Sequence, residues 1–231
     1  MMRLLVSVAL LAGALAAADD MPVMSYDPEL DDRASSDGWV EREEGEFEYP
    51  AQFVNAATGM TVSWGYDDSL MYVGVETRGR GWFGIGFGSA TMDGANMVVG
   101  FDTDDTTDAF CLVGKGHAHP VAGSADLLLP DWDIDFDDET GITTMEFAYP
   151  LTWRGEGAPA QFAGNEVLKG AAVSGLVPGE TYDLILAQNT KTFSLDAKHT
   201  HFASLKFRMG DKPEPEPEPD PAPAPAPGTG K

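Results

Sequence analysis

Nine short apolar segments punctuated by Gly, Asp, Asn and Pro constrain this chain more than any other feature of its sequence. They are Val62–Trp64, Leu70–Glu76, Trp82–Phe87, Met97–Phe101, Phe110–Val113, Trp132–Phe136, Thr143–Tyr149, Tyr182–Ala187 and Phe202–Phe207. Strands of this length with turn residues between them predict a sandwich or barrel. Alternation is explicit between Asp131 and Asp137, where Trp132, Ile134 and Phe136 fall on one face and the carboxylates on the other. Strict period 2 marks a strand with one wet side. Asp138 to Gly141 then supplies turn chemistry before the segment Ile142–Tyr149, so the two segments read as a hairpin. Helical period is hard to find beyond the N-terminal residues, and 26 Gly with 16 Pro weigh against long helices. The expectation is an all-β, Ig-like antiparallel β-sandwich.

The ends of the chain have other compositions. Arg3, the apolar stretch Leu4 to Leu15 and the small residues Ala14, Ala16 and Ala18 have the form of a secretory signal peptide over residues 1–18. The apolar stretch is too short for the roughly 20 residues that a spanning helix needs, so no membrane insertion is expected of the chain as given. Residues 19–37 read as an irregular acidic arm and residues 38–210 as the sandwich. Residues 211–231 change to Pro-Glu and then Pro-Ala repeats, a composition that buries no apolar area and predicts a disordered, extended tail.

Apolar residues make up 43% of the chain, enough for a substantial core, and the formal charge is −24. That charge repels phosphate backbones and anionic membranes, which removes nucleic acid as a partner. Cys111 is the single cysteine. Lying between Phe110 and Leu112, it reads as a buried thiol, and the fold must hold without an internal disulfide.

Three segments together carry a family resemblance. Leu70 to Glu76 leads to Gly81-Trp-Phe-Gly-Ile-Gly-Phe-Gly88, and then to Met92-Asp-Gly-Ala-Asn-Met-Val-Val-Gly-Phe101. This run resembles the central signature of the DOMON family. Thr143 to Leu151, Tyr182 to Ala187 and Lys198 to Phe207 resemble its later strands in the same order, so the similarity runs from about Glu46 to Phe207. DOMON domains are extracellular haem or sugar binders.

In the haem-binding branch, which includes the cytochrome domain of cellobiose dehydrogenase, one Met and one His hold the iron. The resemblance carries these roles to Met92, in the loop after the Trp-x-Gly strand, and to His199, at the opening of the last strand. It implies a haem b, an extracellular electron-transfer role and a redox partner protein or small reductant. A thioether and an imidazole leave a six-coordinate iron that passes electrons rather than binding oxygen. The family's closing motif has Arg-Gly two residues after the His, where this chain has His201 and Phe202. If the segment is extended, His199 and His201 point to one face and either reaches the iron; His199 fits the Lys-His-Thr frame better. Trp82, Phe83, Ile85, Phe87 and Met97 are candidate pocket walls, although alternation divides them between two faces. No catalytic residues are implied, because catalysis in this family resides in neighbouring domains.

Three further features stand beside that reading. A haem-free DOMON module would bind sugars or cell-surface ligands, with Trp39, Tyr49 or Trp153 as exposed rings to stack on a pyranose face. His117 and His119 have a spacing compatible with zinc or copper, yet Gly114, Gly116 and Pro120 make their segment a loop whose histidines are ordinarily solvated. The run Asp102 to Asp108 offers hard oxygens suited to Ca2+, but it lacks the Gly of an EF-hand loop, and acidic turns are common in so acidic a chain. No nucleotide-binding Gly pattern followed by a helix, Gly-x-Ser-x-Gly elbow or Asn-x-Ser/Thr site is present.

Overall fold

The computed structural model describes residues 21–30, 49–103 and 105–213. The signal-peptide segment, Trp39 and the Pro-rich tail beyond residue 213 lie outside the described residues. The strands, in chain order, are β1 (Val23–Tyr26), β2 (Ala51–Val54), β3 (Thr61–Tyr66), β4 (Leu70–Arg78), β5 (Trp82–Phe87), β6 (Asn96–Asp102), β7 (Thr107–Val113), β8 (Val121–Ser124), β9 (Trp132–Asp137), β10 (Ile142–Pro150), β11 (Thr181–Asn189) and β12 (His201–Met209). Two single-turn helices, α1 (Ala125–Leu128) and α2 (Ala160–Ala163), and a 3-10 turn at Leu168–Gly170 complete the described elements. Among these residues no helix is long and apolar enough to cross a membrane.

All nine predicted strands form, and the expected hairpin is β9 and β10, with Ile142 opposite Asp137. Its turn closes through Gly141, whose N–H donates to the Asp137 carbonyl at 2.8 Å and whose φ of +70° suits a residue without a Cβ. On β9, Asp133 and Asp135 are exposed and Ile134 is buried, as alternation requires.

The strands follow one another as β8-β7-β6-β5-β11-β12-β1-β3-β4-β10-β9, with β2 on β3. This curled sheet folds into two layers. The core between them joins Phe83, Phe87, Val98, Leu184, Leu186 and Phe207 of one layer to Val62, Trp64, Val73, Ile134, Met145 and Phe147 of the other. The approach is close at Gly100, where a Cβ would lie 2.3 Å from Ile134 Cδ1. Two buried polar links also cross the layers. Asn96 on β6 donates to the Tyr149 hydroxyl on β10 at 2.7 Å. Gln188 on β11 accepts from Thr77 on β4 and donates to the Thr58 carbonyl at 2.5 Å. Such satisfied pairs fix the register of one layer on the other, because a slip would strand them unpaired in the core.

The strand β1 adds two details to the expected sandwich. It pairs in parallel with β12 through Val23 and Met24, and in parallel with β3 through Ser25 and Tyr26, so the sandwich is mixed rather than purely antiparallel. It also lies within the arm expected to be irregular. Half of this strand belongs to each layer, and it is pinned by Trp64 Nε1 donating to the Val23 carbonyl at 3.1 Å. The Gly210 N–H donates to the Met24 carbonyl at 2.8 Å, and the Tyr66 hydroxyl donates to the Gly210 carbonyl at 2.6 Å.

Cys111 is fully buried in the core, as its apolar neighbours indicate, and burial pushes its thiol pKa up to about 12. Native protein should therefore give no reaction with a thiol reagent at pH 8, and one thiol per chain after denaturation. A fast reaction of the native state would show that β7 opens readily.

Candidate functional site

Alternation on β5 sends Phe83 and Phe87 into the core, and turns Trp82, Gly84 and Gly86 to the opposite face of their layer. That outer face is apolar too. Trp82, Met97, Val99, Leu112 and Ile185 form a second buried cluster there, joined at its margin by Met92, Phe101, Phe110, Ala187 and Leu195. An antiparallel sheet ordinarily turns a polar face to water, and a contiguous apolar face needs a cover. Here residues of the three connections around 89–95, 114–120 and 190–200 rise over the sheet and leave a cleft of about 340 Å³ between them. That volume falls within the range of small-molecule sites.

The floor owes its shape to two glycines. A Cβ on Gly84 would meet Val99 Cγ2 at 2.6 Å and the Val98 carbonyl at 2.7 Å, and one on Gly86 would meet Met97 Cγ at 2.7 Å. Neighbouring side chains, including those of the cross-strand partners Val99 and Met97, lean into the space that these glycines leave and make the apolar floor.

Met92 lines this cleft, and its loop is held firmly. The Ala95 N–H donates to the Met92 carbonyl at 3.1 Å, Gly94 donates to the Gly114 carbonyl at 2.9 Å, and Gly114 donates to the Ala95 carbonyl at 3.0 Å. Asp93 Oδ1 accepts from the Gly116 N–H at 2.6 Å. These bonds fasten the Met92 loop to the turn at residues 115–118, whose Lys115 and Ala118 exchange backbone bonds at 2.8 and 3.0 Å. His117 and His119 come off that turn and line the same cleft. They were legible as a pair on a loop; what the sequence did not reveal is that the loop is one wall of the cleft.

His199 also lines the cleft, half-buried and stacked on Phe202 with ring centroids 5.2 Å apart. It precedes β12 rather than standing on it, so the common-face argument for His199 and His201 does not apply. His201 begins β12, is exposed and does not line the cleft. Its Nδ1 lies 3.2 Å from the Thr200 hydroxyl. Around His199 the chain is fixed by Thr200, whose N–H donates to the Gln188 carbonyl at 2.7 Å, and by Asn189 Nδ2, which donates to the Lys198 carbonyl at 2.7 Å. Partial burial, with the Lys198 ammonium beside it, lowers the His199 pKa and favours the neutral ring that ligates metals.

Of the expected walls, Trp82 and Met97 line the cleft, and Ile85 touches it from the core side. Phe87 does not; it is buried in the core with its ring 6.0 Å from that of Phe207. Phe83 is likewise a core residue. The walls that sequence reading missed are Val99, Leu112, Ile185, Ala187, Leu195 and Phe202. Period-2 counting on Ile185 and Ala187 would have found two of them once β11 was placed beside β5.

Elsewhere the structure bears on two further expectations. Trp153 is fully buried, its Nε1 donating to the Val173 carbonyl at 2.9 Å, and Tyr49 is packed inward with its hydroxyl donating to Glu146 Oε1 at 3.0 Å. The Trp153 ring is not available to stack on a sugar, and the Tyr49 ring is only partly exposed. Of the acidic run at 102–108, Asp104 lies outside the described residues; around it the Thr107 hydroxyl donates to Asp102 Oδ1 at 3.0 Å and the Thr103 hydroxyl to the Thr106 carbonyl at 2.9 Å. Among the described residues no three His, Cys, Asp or Glu side chains are grouped to hold a metal ion, and the Ca2+ expectation finds no support.

No family model and no curated protein matches the sequence. Among solved structures the chain is similar to the cytochrome b domain of pyranose dehydrogenase from Coprinopsis cinerea, at 15% identity over 68% of this chain and 80% of that one, with a TM-score of 0.48. It is similar to the cytochrome domain of Myriococcum thermophilum cellobiose dehydrogenase at 14% identity, covering 71% and 90% of the two chains with a TM-score of 0.38. A family 9 carbohydrate-binding module from Caldicellulosiruptor kristjanssonii, solved with glucose, shares 11% identity over 84% of this chain and 98% of that one, with a TM-score of 0.37.

Proposed function

We propose that this protein is a secreted b-type cytochrome domain, in which Met92 and His199 hold one haem b in the outer-face cleft and electrons pass to a redox partner. The observation that carries the reading is that these two residues, far apart in sequence, line one apolar cleft. The residues present fit the group. Met97, Val99 and Ile185 pack over Gly84 and Gly86, and with Trp82 they give the cleft an apolar lining that excludes water from a bound macrocycle. A macrocycle brings four nitrogen ligands of its own, so two protein ligands complete the iron without a three-residue metal cluster.

When bound, the haem supplies one-electron chemistry. The chain supplies a soft thioether, held by the bonded loop of Met92, and a neutral imidazole at His199. The low polarity of the walls and the thioether both favour a higher potential than two imidazoles would give. Secretion rests on the signal-like N-terminus. No catalytic role is assigned to this chain, and the reaction belongs to whatever partner exchanges electrons with it.

Titration of the purified protein with haemin tests this. A Soret band that shifts on reduction, with a sharp α band, is expected. Met92→Ala and His199→Ala should each abolish the six-coordinate spectrum, whereas His201→Ala should preserve it. Met92→His should keep six ligands and lower the midpoint potential. A protein that stays colourless with haemin, or a Met92→Ala spectrum identical to that of the wild type, overturns the reading. Glycan binding without a chromophore, untouched by Met92→Ala, would favour the haem-free alternative.

A further inference from the structure

The outer face of β12 is polar except at one position. Ala203, Leu205, Phe207 and Met209 turn inward and pack on the core, so Phe202, Ser204, Lys206 and Arg208 alternate with them toward the outside. Phe202 is the single apolar member of that outer row and remains 42% exposed. Its ring has one definite contact: it stacks on His199 with centroids 5.2 Å apart and planes 30° from parallel. Across the ladder Phe202 faces Ala187, which is too small to hold the ring from the other side. All three residues line the cleft.

The stack gains its meaning from how His199 is otherwise held. Its backbone is pinned on both sides. Asn189 Nδ2 donates to the Lys198 carbonyl at 2.7 Å, and the Thr200 N–H and hydroxyl both donate to the Gln188 carbonyl, at 2.7 and 3.2 Å. Those bonds fix the place of the His199 Cα and leave its side-chain torsions free. A histidine that ligates a metal ordinarily donates its second ring N–H to a carboxylate or carbonyl, and that bond sets the orientation of the ring. Among the described residues no group hydrogen-bonds the His199 imidazole; the hydroxyl of adjacent Thr200 is turned to the Gln188 carbonyl and to His201 Nδ1. What the imidazole has instead is the face of Phe202.

We propose that Phe202 is the positioning residue for His199, its ring taking the place of the usual hydrogen-bonded partner and holding the imidazole plane in the orientation from which it meets a ligand in the cleft. This role rests on the haem reading above. Aromatic pairs shift an equilibrium by about two- to tenfold beyond the area they bury, and loss of a group that orients a metal ligand lowers metal affinity by about tenfold or more.

The test compares the full-length protein with Phe202→Leu, which keeps apolar bulk without a ring face, and Phe202→Tyr, which restores the ring. Haemin is followed by its Soret band and iron-free protoporphyrin IX by its fluorescence. Phe202→Leu should raise the haemin Kd about three- to tenfold and broaden the low-spin EPR signal, and Phe202→Tyr should return both to wild type. Protoporphyrin IX takes no axial ligand and should bind all three proteins alike. Added to His199→Ala, Phe202→Leu should have no further effect on haemin. In the haem-free chain, the His199 ring protons should lose in Phe202→Leu the upfield NMR shift that a stacked ring imposes, and the urea midpoint should stay unchanged because Phe202 is exposed. Equal weakening of haemin and protoporphyrin IX would make Phe202 a plain wall of the cleft and overturn the role. Unchanged haemin affinity in Phe202→Leu, with a six-coordinate wild type, would overturn it too, and both results leave the cytochrome reading standing. A wild-type protein that takes up no haemin removes the reading and this role together.

Discussion

Gly114→Ala should destabilise the protein by about 3 kcal/mol and, on the proposed haem reading, abolish ligation by Met92. A Cβ at this position would sit 1.6 Å from the Met92 carbonyl oxygen and 2.4 Å from its carbon. Both are backbone atoms of another segment, so no rotamer change relieves the overlap and one loop must move. Moving it breaks the paired bonds between Gly94, Ala95 and Gly114, each contributing about 1 kcal/mol, and adds overpacking strain of 1–3 kcal/mol. For a domain of this size the melting temperature should fall by roughly 6–12 °C. Gly116→Ala is the matched control, because its φ of +61° imposes backbone strain while nothing lies within 4 Å of the added Cβ. It should cost about 1 kcal/mol and leave the spectrum intact. Equal losses in the two variants would mean that glycine conformation, rather than the contact with Met92, fixes the loop.

The strands were legible because their own side chains declare them. Trp132, Ile134 and Phe136 alternate with carboxylates, and β5 through β7 are apolar on both faces because both faces are covered. The missed strands β1, β2 and β8 have four residues each and no pattern to speak of. Val23–Tyr26 sits between Pro22 and Pro28 and is a strand only because β12 and β3 both offer it open backbone. Such a strand is specified by its neighbours, and single-sequence periodicity carries no trace of them. The same distinction governs the site. Met92 and His199 could be named from the order of motifs, and Trp82 and Met97 from strand facing. Phe87 failed because counting by two needs to know which face is the core, and a sheet apolar on both sides gives no such reference. The wall formed by His117 and His119 depends on the bond from Gly116 to Asp93, a contact between loops that no local pattern encodes.

Trp153 is where residue type misled most, and its replacement has the largest effect expected on stability. A tryptophan in a stretch with Arg154, Gly155 and Glu156 looks like an exposed ring, but Trp153 has no accessible surface and packs edge-on against Tyr149 with centroids 5.8 Å apart. Phe162 of α2 meets Tyr149 from another side at 5.4 Å, so the three rings close one end of the sandwich. Trp153→Ala would remove the indole from a packed site and orphan the Val173 carbonyl that accepts from Nε1 at 2.9 Å. Large-to-small changes of this kind cost about 3–5 kcal/mol, against a total stability of about 5–15 kcal/mol for a domain. The denaturation midpoint should drop accordingly, with the melting temperature lower by roughly 6–20 °C. Trp153→Phe should recover part of the loss by refilling volume while leaving the carbonyl unpaired. An exposed sugar platform behaves oppositely, because truncating it changes stability by less than about 0.5 kcal/mol while removing ligand contact. Urea unfolding of the two variants, run beside a glycan-binding assay, separates the cases: an unchanged midpoint with lost sugar binding would return Trp153 to the surface, and a large drop with binding untouched keeps it in the core.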